Sequence, residues 1–376
     1  MTTAFVNGRV LIDGRLDRGR AVLVDSGRIE AIVADAHVPA GADLIDLGGG
    51  MLVPGFIDTQ VNGGGDRLFN DDLSVATIAA IGAAHRHFGT TGFLPTLISD
   101  DLDKVEAAIE ATRAAIASGV PGVLGVHIEG PFLNEARKGI HDSSKFRPLG
   151  EKEIELLSRP TGGRTIVTLA PEEVPPGAIA QLTKAGVIVC AGHTNASADC
   201  IFAALKEGLR GFTHLFNAMS PLTSREPGVV GAALYDADSW CGLIVDGHHV
   251  DPVVLKLALR AAPLPRFMLV TDAMPSVGGR NATFLLNGET ITISEGKCLN
   301  AAGTLAGSHL DMASAVRNCV ELLDLSVGQA VSMASLHPAA FLGLGGDLGR
   351  IAPGQRANLV LLDDELQLRG SWIDGA

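Results

Sequence analysis

A chain of 376 residues is longer than most single compact domains, but it suits one α/β barrel, which commonly runs to about 250 residues, plus a small addition. Hydrophobic residues make up 47% of it, enough for a large core, and a net charge of −13 argues against nucleic acid and anionic membranes as partners. No apolar run approaches the ~20 residues that span a bilayer, and the amino end lacks the pattern of a signal peptide, so we expect a cytoplasmic protein.

The cysteines are odd in number, and none forms a C-x-x-C pair. We expect them to be small buried hydrophobes in a reducing compartment rather than disulfide partners or thiolate metal ligands. They are Cys190, Cys200, Cys241, Cys298 and Cys319.

The first fifty residues predict short strands. "AFVNGRVL" and "RAVLVDSGRIEAIVA" partly alternate apolar and polar positions, with turn signals at Asn7-Gly8 and Ser26-Gly27. A similar pattern returns in "GRIAPGQRANLVLLDDELQLRGSWI" near the carboxyl end. We therefore expect residues 1–51 and 342–376 to form one small β-sandwich domain, with a catalytic barrel domain over residues 52–341 inserted between them.

The middle of the chain alternates apolar, β-branched runs with helix-like segments such as "LSVATIAAIGAAHRHF" and "DLDKVEAAIEATRAAIASG". This pattern predicts an α/β fold of the (β/α)₈ TIM-barrel type, whose active site forms at the carboxyl ends of the strands. The runs are "GGMLVPGFID", "GTTGFLPTL", "GVLGVHIEG", "TIVTLAP", "GVIVCAGH", "GFTHLFNAM", "WCGLIVDG" and "RFMLVTDAM". Beyond them, "ATFLLNGETITISEG" predicts a hairpin turned by Asn287-Gly288, and residues 308–324 and 326–344 have helical spacing.

Four of the predicted strands end in groups suited to metal binding or acid–base chemistry: Glu129, His193, His214 and Asp272. Two histidines and one carboxylate are a known catalytic zinc set, with a fourth position open for water whose pKa the metal lowers to about 7. Asp272 could accept that water's proton and deliver it to a leaving group. A single His or Asp at a strand end is more often structural, but joint placement at the active face favours a site.

Four other histidines lack such placement. His127 alternates with Glu129 on the third predicted strand, and we expect it to support the site rather than bind the metal. His37, His85 and His87 lie in helix or loop contexts without partners, and we expect them on the solvated surface.

The sequence resembles the N-acetylglucosamine-6-phosphate deacetylase family of the amidohydrolase superfamily. The matching stretches, in the family's order from near residue 50 to near residue 360, are "PGFIDTQVNG", "HIEGPFLNEARKGIHD", "AGHTNA", "THLFNAM", "REPGVVGAAL", "VDGHHVD", "LVTDAM", "GTLAGS" and "ANLVLLD". The resemblance implies hydrolysis of the N-acetyl group of N-acetylglucosamine 6-phosphate by a metal-bound hydroxide, giving glucosamine 6-phosphate and acetate.

The resemblance also implies a role for each matching residue. Glu129, His193 and His214 would hold one divalent metal ion, with Asp272 as general base and acid and His141 polarising the acetamido carbonyl. Zinc and iron(II) both suit this ligand set. The implied substrate contacts are Ile140, His141, Asn217, Ala218, Leu305, Ala306 and Gly307, together with Arg225 and His249, which would reach the phosphate in the neighbouring subunit of a homodimer.

The stretch "GFIDTQVNGGG" bears on the number of metal ions. Asp58, Gln60 and Asn62 alternate and should share a face. Many amidohydrolases carry His-x-His here as ligands for a second metal, and neutral amides are poor substitutes for imidazole. Gln60 and Asn62 therefore predict a vacated second-metal position and a one-metal centre.

Three alternatives stay open at this point. The first keeps the chemistry with N-acetylgalactosamine 6-phosphate, because no motif visibly reads the C4 hydroxyl that distinguishes the two sugars. The second is a more distant amidohydrolase that acts on a cyclic amide, which would leave "KGIHD", "REPG" and "GHHVD" without a purpose. The third is a non-catalytic scaffold on an inactive barrel.

Overall fold

Both ends of the chain contribute strands to two sheets that pack on each other. The computed structural model describes residues 2–376. A shared core of Phe5, Val22, Leu52 and Leu359 lies between the sheets, which confirms the predicted β-sandwich. One sheet contains Thr3–Val6, Arg20–Asp25, Arg28–Ala34 and Asp43–Asp46, and the other contains Arg9–Ile12, Arg15–Arg18, Met51–Pro54, Leu359–Leu362 and Leu368–Trp372.

Eight parallel strands form the barrel, each paired with the next along the chain. A bridge between Val61 and Ala273 joins the first strand to the last and closes it. This arrangement confirms the predicted (β/α)₈ barrel. Barrel strands 1 to 8 are Phe56–Val61, Thr90–Ile98, Gly125–Glu129, Arg164–Leu169, Ile188–Ala191, Gly211–Phe212, Trp240–Leu243 and Phe267–Leu269.

The run that predicted barrel strand 1 forms two strands rather than one. Met51–Pro54 pairs with strands of the sandwich, and Phe56–Val61 enters the barrel. Gly55 separates them, and a Cβ there would lie 2.1 Å from Thr91 Oγ1. Only glycine therefore fits where the chain passes from one core to the other.

Helices cover the barrel, and several begin at polar caps. Ser74 Oγ accepts a hydrogen bond from Thr77 N at 3.2 Å, and Ser197 Oγ accepts one from Cys200 N at 3.3 Å. The predicted helical segments are confirmed. The helices are Val75–Arg86, Leu102–Ala117, Glu151–Leu157, Ala178–Lys184, Ala198–Lys206, Gly228–Tyr235, Pro252–Ala261, Met312–Leu323, Val327–Ala334 and Leu336–Phe341. Within the described residues, no helix is long and apolar enough to cross a membrane.

A four-stranded antiparallel sheet follows barrel strand 8, and its first two strands form the predicted hairpin. Asn287 and Gly288 turn the hairpin with φ of 50° and 80°. Leu286 and Ile291 pack with Met274 and Ile98 beside the carboxyl ends of barrel strands 8 and 2. The sheet contains Thr283–Leu286, Glu289–Ser294, Lys297–Leu299 and Leu305–Ser308, and it brings the last of these strands to the site described below.

The cysteines are unpaired thiols, and all but Cys200 are buried. Burial raises the pKa of Cys190 to about 12. These four behave as the small buried side chains that we expected, whereas Cys200 is partly exposed.

Candidate metal centre and substrate pocket

Glu129, His193 and His214 come together at the carboxyl ends of barrel strands 3, 5 and 6. Glu129 Oε1 lies 3.0 Å from His214 Nε2 and 3.3 Å from His193 Nε2, and the two imidazole nitrogens are 3.1 Å apart. Both histidines adopt left-handed backbone conformations, with φ of 49° and 33°. The chain thus turns sharply where each strand ends, and all three side chains are buried.

The spacing and chemistry of these three atoms fit a metal ion. Bonds of about 2.0–2.1 Å to a tetrahedral zinc put neighbouring ligand atoms roughly 3.3 Å apart. His193 Nδ1 donates to Arg137 O at 2.9 Å, which leaves the Nε2 lone pair free for a metal. Burial alone would raise the pKa of Glu129, but the adjacent imidazoles of His193 and His214 outweigh it and hold the pKa well below its usual value. A buried carboxylate and two imidazoles thus converge on one point.

Asp272 lies three residues beyond barrel strand 8, beside this cluster. Its Oδ1 accepts hydrogen bonds from Asn62 Nδ2 at 2.7 Å and from Gln60 Nε2 at 3.1 Å. Burial and the negative charge of Glu129 raise the pKa of Asp272. Both donors hold the same oxygen, so Oδ2 remains available for proton transfer.

Gln60 and Asn62 lie on one inward face of barrel strand 1, as the alternation predicted. Gln60 Nε2 also lies 3.2 Å from Glu129 Oε2, so one amide group donates toward two carboxylates. Asn62 Oδ1 is buried without a hydrogen-bond partner within residues 2–376. The amide nitrogens of both residues therefore donate to the carboxylates beside the cluster.

Asp58 joins the first and last barrel strands behind Asp272. Its carboxylate accepts hydrogen bonds from the Thr271 hydroxyl, from Thr271 N at 3.3 Å and from Gln60 N at 3.1 Å. Burial raises its pKa to about 7. The sequence placed Asp58 on the same face as Gln60 but gave it no role, because its partner lies 213 residues away.

His141 lies in the loop after barrel strand 3 and is buried against the metal ligands. Ser99 N donates to its Nδ1 at 3.3 Å, and the Ser99 hydroxyl lies 2.8 Å from the same atom. A backbone N–H can only donate, so Nδ1 is an acceptor and the ring proton is on Nε2. Burial and the charge of His193 hold the pKa of His141 well below its usual value. The ring is therefore a neutral donor.

The three candidate metal ligands, Asp272 and His141 line one pocket, and most of the predicted substrate contacts line it too. Asn217 and Ala218 line it from the loop after His214, and Leu305 and Gly307 line it from the sheet above the barrel. Ile140 and His141 complete that side. Ala306 lies between two lining residues but is itself fully buried in the core.

The two predicted phosphate ligands occupy different positions. Arg225 is exposed in the loop before the helix Gly228–Tyr235 and does not line the pocket of its own chain. His249 does line that pocket, where Asp246 Oδ2 holds its Nδ1 at 2.6 Å. The expectation that His249 reaches a neighbouring subunit's site stays a prediction.

One prediction for the remaining histidines, that His85 lies on the solvated surface, is wrong. His85 is fully buried, with Nε2 2.9 Å from Gly63 O, because it follows Ile78 and Ile81 on the barrel-facing side of its helix. His37 and His87 are exposed, as expected. His127 lies inside the barrel between Thr59 O at 3.0 Å and Thr168 Oγ1 at 2.7 Å, a supporting position.

Comparison with known proteins gives consistent matches over the whole chain. A model described as "Amidohydrolase family" matches residues 51–374. An N-acetylgalactosamine-6-phosphate deacetylase of Shewanella sp. (strain ANA-3) is 43% identical over 98% of this chain and 93% of the relative. An N-acetylglucosamine-6-phosphate deacetylase of Haemophilus influenzae is 34% identical over 100% of this chain and 99% of the relative.

A solved structure agrees with these matches. The crystal structure of N-acetylglucosamine-6-phosphate deacetylase from Pasteurella multocida has a TM-score of 0.96 and 34% sequence identity. The alignment covers 100% of this chain and 99% of that one.

Proposed function

This chain belongs to the amidohydrolase family, and from that membership we propose that it hydrolyses the N-acetyl group of N-acetylglucosamine 6-phosphate to glucosamine 6-phosphate and acetate. The observation that carries the proposal is the convergence of Glu129, His193 and His214 beside Asp272 and His141 in one pocket. Curated relatives of this length and similarity carry the same activity in their names.

We propose that Glu129, His193 and His214 hold one divalent metal ion, zinc or iron(II). When bound there, the metal would supply a Lewis acid and lower the pKa of a water molecule. Support for a single ion comes from Gln60 and Asn62, whose amide nitrogens donate to the carboxylates of Glu129 and Asp272. An amide nitrogen has no free lone pair for a metal ion, and an amide oxygen is a weaker ligand than imidazole at a transition metal.

The protein's own groups would then divide the work of amide hydrolysis. His141 Nε2–H donates to the acetamido oxygen, where negative charge develops as water attacks the carbonyl carbon. Asp272 takes the proton from the attacking water through Oδ2 and returns it to the amine nitrogen as the C–N bond breaks. The remaining proton of the new carboxylic acid passes to the more basic amine, so the products are acetate and the protonated amine.

Asn62→Ala is expected to lower kcat about 10–100-fold without changing metal content, because Asp272 Oδ1 loses its 2.7 Å donor and the carboxylate is no longer fixed. The measurement is acetate release under saturating substrate, together with elemental analysis. A variant with wild-type kcat would show that Asn62 does not orient Asp272.

We propose that the enzyme is a homodimer in which Arg225 reaches the phosphate in the partner's pocket. The exposure of Arg225 and its place outside its own chain's pocket support this role. Guanidinium groups bind phosphate bidentately, which offsets the net charge of −13.

Arg225→Ala is expected to raise KM for the phosphorylated sugar about tenfold or more with little change in kcat, because a phosphate contact is made in the ground state and transition state alike. Arg20→Ala, an exposed arginine of the sandwich, is the matched control. An unchanged KM in Arg225→Ala would contradict the phosphate assignment.

N-acetylgalactosamine 6-phosphate is a second candidate substrate, favoured by the 43% identity to a deacetylase named for that sugar. The test is acetate release from the two 6-phosphates and from both unphosphorylated sugars. The proposed function predicts fastest release from N-acetylglucosamine 6-phosphate. Faster release from the galacto sugar would favour the second candidate, and no release from either phosphate would contradict both.

We also propose the predicted division into a sandwich domain of both chain ends and an inserted barrel domain, together with a cytoplasmic location. The two packed sheets support the division, and the unpaired thiols suit a reducing compartment.

A further inference from the structure

The side chains that line the pocket carry little positive charge for a phosphorylated substrate. Its lining includes the carboxylates of Glu129 and Asp272 but no lysine or arginine. Three of its four histidines, His141, His193 and His214, form the centre described above. His249 is therefore the one cationic candidate that this chain supplies to its own pocket for an anion.

Asp246 holds that histidine on the side away from the pocket. His249 Nδ1–H donates to Asp246 Oδ2 at 2.6 Å, and both side chains are only 7% exposed. The other carboxylate oxygen accepts the backbone N–H groups of His248 at 2.8 Å and His249 at 2.9 Å. The carboxylate thus fixes both the backbone and the ring of His249.

This arrangement leaves Nε2 as the free edge of the ring. Within residues 2–376, His249 Nε2 has no hydrogen-bond partner. Because Asp246 holds Nδ1, Nε2 is the ring nitrogen left to contact a ligand in the pocket. Burial alone would raise the pKa of Asp246, but the hydrogen bond and charge of His249 outweigh it, so the pKa is lowered.

We propose that Asp246 is a positioning residue that holds His249 through Nδ1, so that the Nε2 edge of the ring contacts the phosphate of the substrate. The role rests on the proposed function, because it needs a phosphorylated sugar in the pocket. Asp246 contacts no substrate itself and acts through His249. The predicted phosphate site then combines His249 of one chain with Arg225 of its neighbour.

Asp246→Asn removes the negative charge of the side chain but keeps its size and shape. The amide oxygen can still accept the two backbone N–H groups, while its nitrogen faces Nδ1 and cannot accept the hydrogen bond that Nδ1–H donates to the carboxylate, so the ring loses the contact that orients it. We expect KM for the 6-phosphate to rise at least tenfold, with kcat within about threefold of wild type. KM for the unphosphorylated sugar should not change, and competitive inhibition by inorganic phosphate should weaken in parallel.

Two further variants test whether Asp246 acts through His249. His248→Ala, an exposed neighbour on the same carboxylate, should match wild type with both sugars. Asp246→Asn combined with His249→Gln should raise KM no more than His249→Gln alone, because the two act as one unit. Melting temperatures of all variants identify any general loss of structure.

The outcomes distinguish this role from the proposed function. Three results would overturn the role of Asp246 but leave the proposed function intact. They are equal effects of Asp246→Asn on phosphorylated and unphosphorylated sugars, unchanged KM values, and additive effects in the double variant. Wild-type enzyme that shows no preference for the phosphorylated sugar would overturn the proposed function and this role with it.

Discussion

Asp272→Asn is expected to lower kcat by about 10²–10⁴-fold, the range that general acid–base catalysis supplies. The amide keeps the size of the side chain but cannot accept a proton from water or return it to the amine. The variant should fold normally, because asparagine can still accept the hydrogen bonds from Gln60 and Asn62 through its oxygen. The measurement is the initial rate of acetate release with saturating N-acetylglucosamine 6-phosphate.

Metal content is the control for Asp272→Asn. Glu129, His193 and His214 remain in place, so the variant should bind as much metal as wild type. A variant that keeps substantial turnover would remove Asp272 from its proposed role. A variant that loses its metal would mean that Asp272 helps to hold the ion.

His214→Ala is the second change with a large expected effect, since it should abolish both bound metal and acetate release. His214 Nε2 lies 3.0 Å from Glu129 Oε1 and 3.1 Å from His193 Nε2, so its removal leaves two of three converging ligand atoms. Two ligands hold a divalent ion far more weakly than three. Elemental analysis after dialysis and the acetate assay measure the two losses.

His87→Ala is the matched control for His214→Ala, because His87 is exposed and should affect neither metal nor rate. If His214→Ala retained one equivalent of metal with near wild-type turnover, the assignment of His214 as a ligand would be wrong. Loss of activity with full metal content would instead give His214 a role at the substrate.

The barrel and the position of its site could be predicted because the signals are local. Apolar, β-branched runs mark the strands, and the carboxyl end of each strand is known once the strand is known. Glu129, His193 and His214 could therefore be placed together without any contact being visible in the sequence. The period of two in strand 1 likewise placed Gln60 and Asn62 on one inward face.

The groups that the sequence missed depend on contacts between distant segments or on the side of a helix. Asp58 meets Thr271 only after the barrel closes. His85 is buried because of which face of its helix meets the barrel. The motif that contains His249 did not show that Asp246, three residues earlier, holds its ring. A sequence motif can identify a residue, but it does not show which way the side chain points in the fold.

The most direct test of the one-metal account is the rate of acetate release from N-acetylglucosamine 6-phosphate as zinc or iron(II) is added back to metal-stripped enzyme. We expect no activity without metal and a linear rise that ends at one equivalent per chain. A second ion would need ligand atoms from Gln60 and Asn62. Their amide nitrogens instead donate hydrogen bonds to Glu129 and Asp272. Activity that rises until two tightly bound equivalents are present would contradict the account.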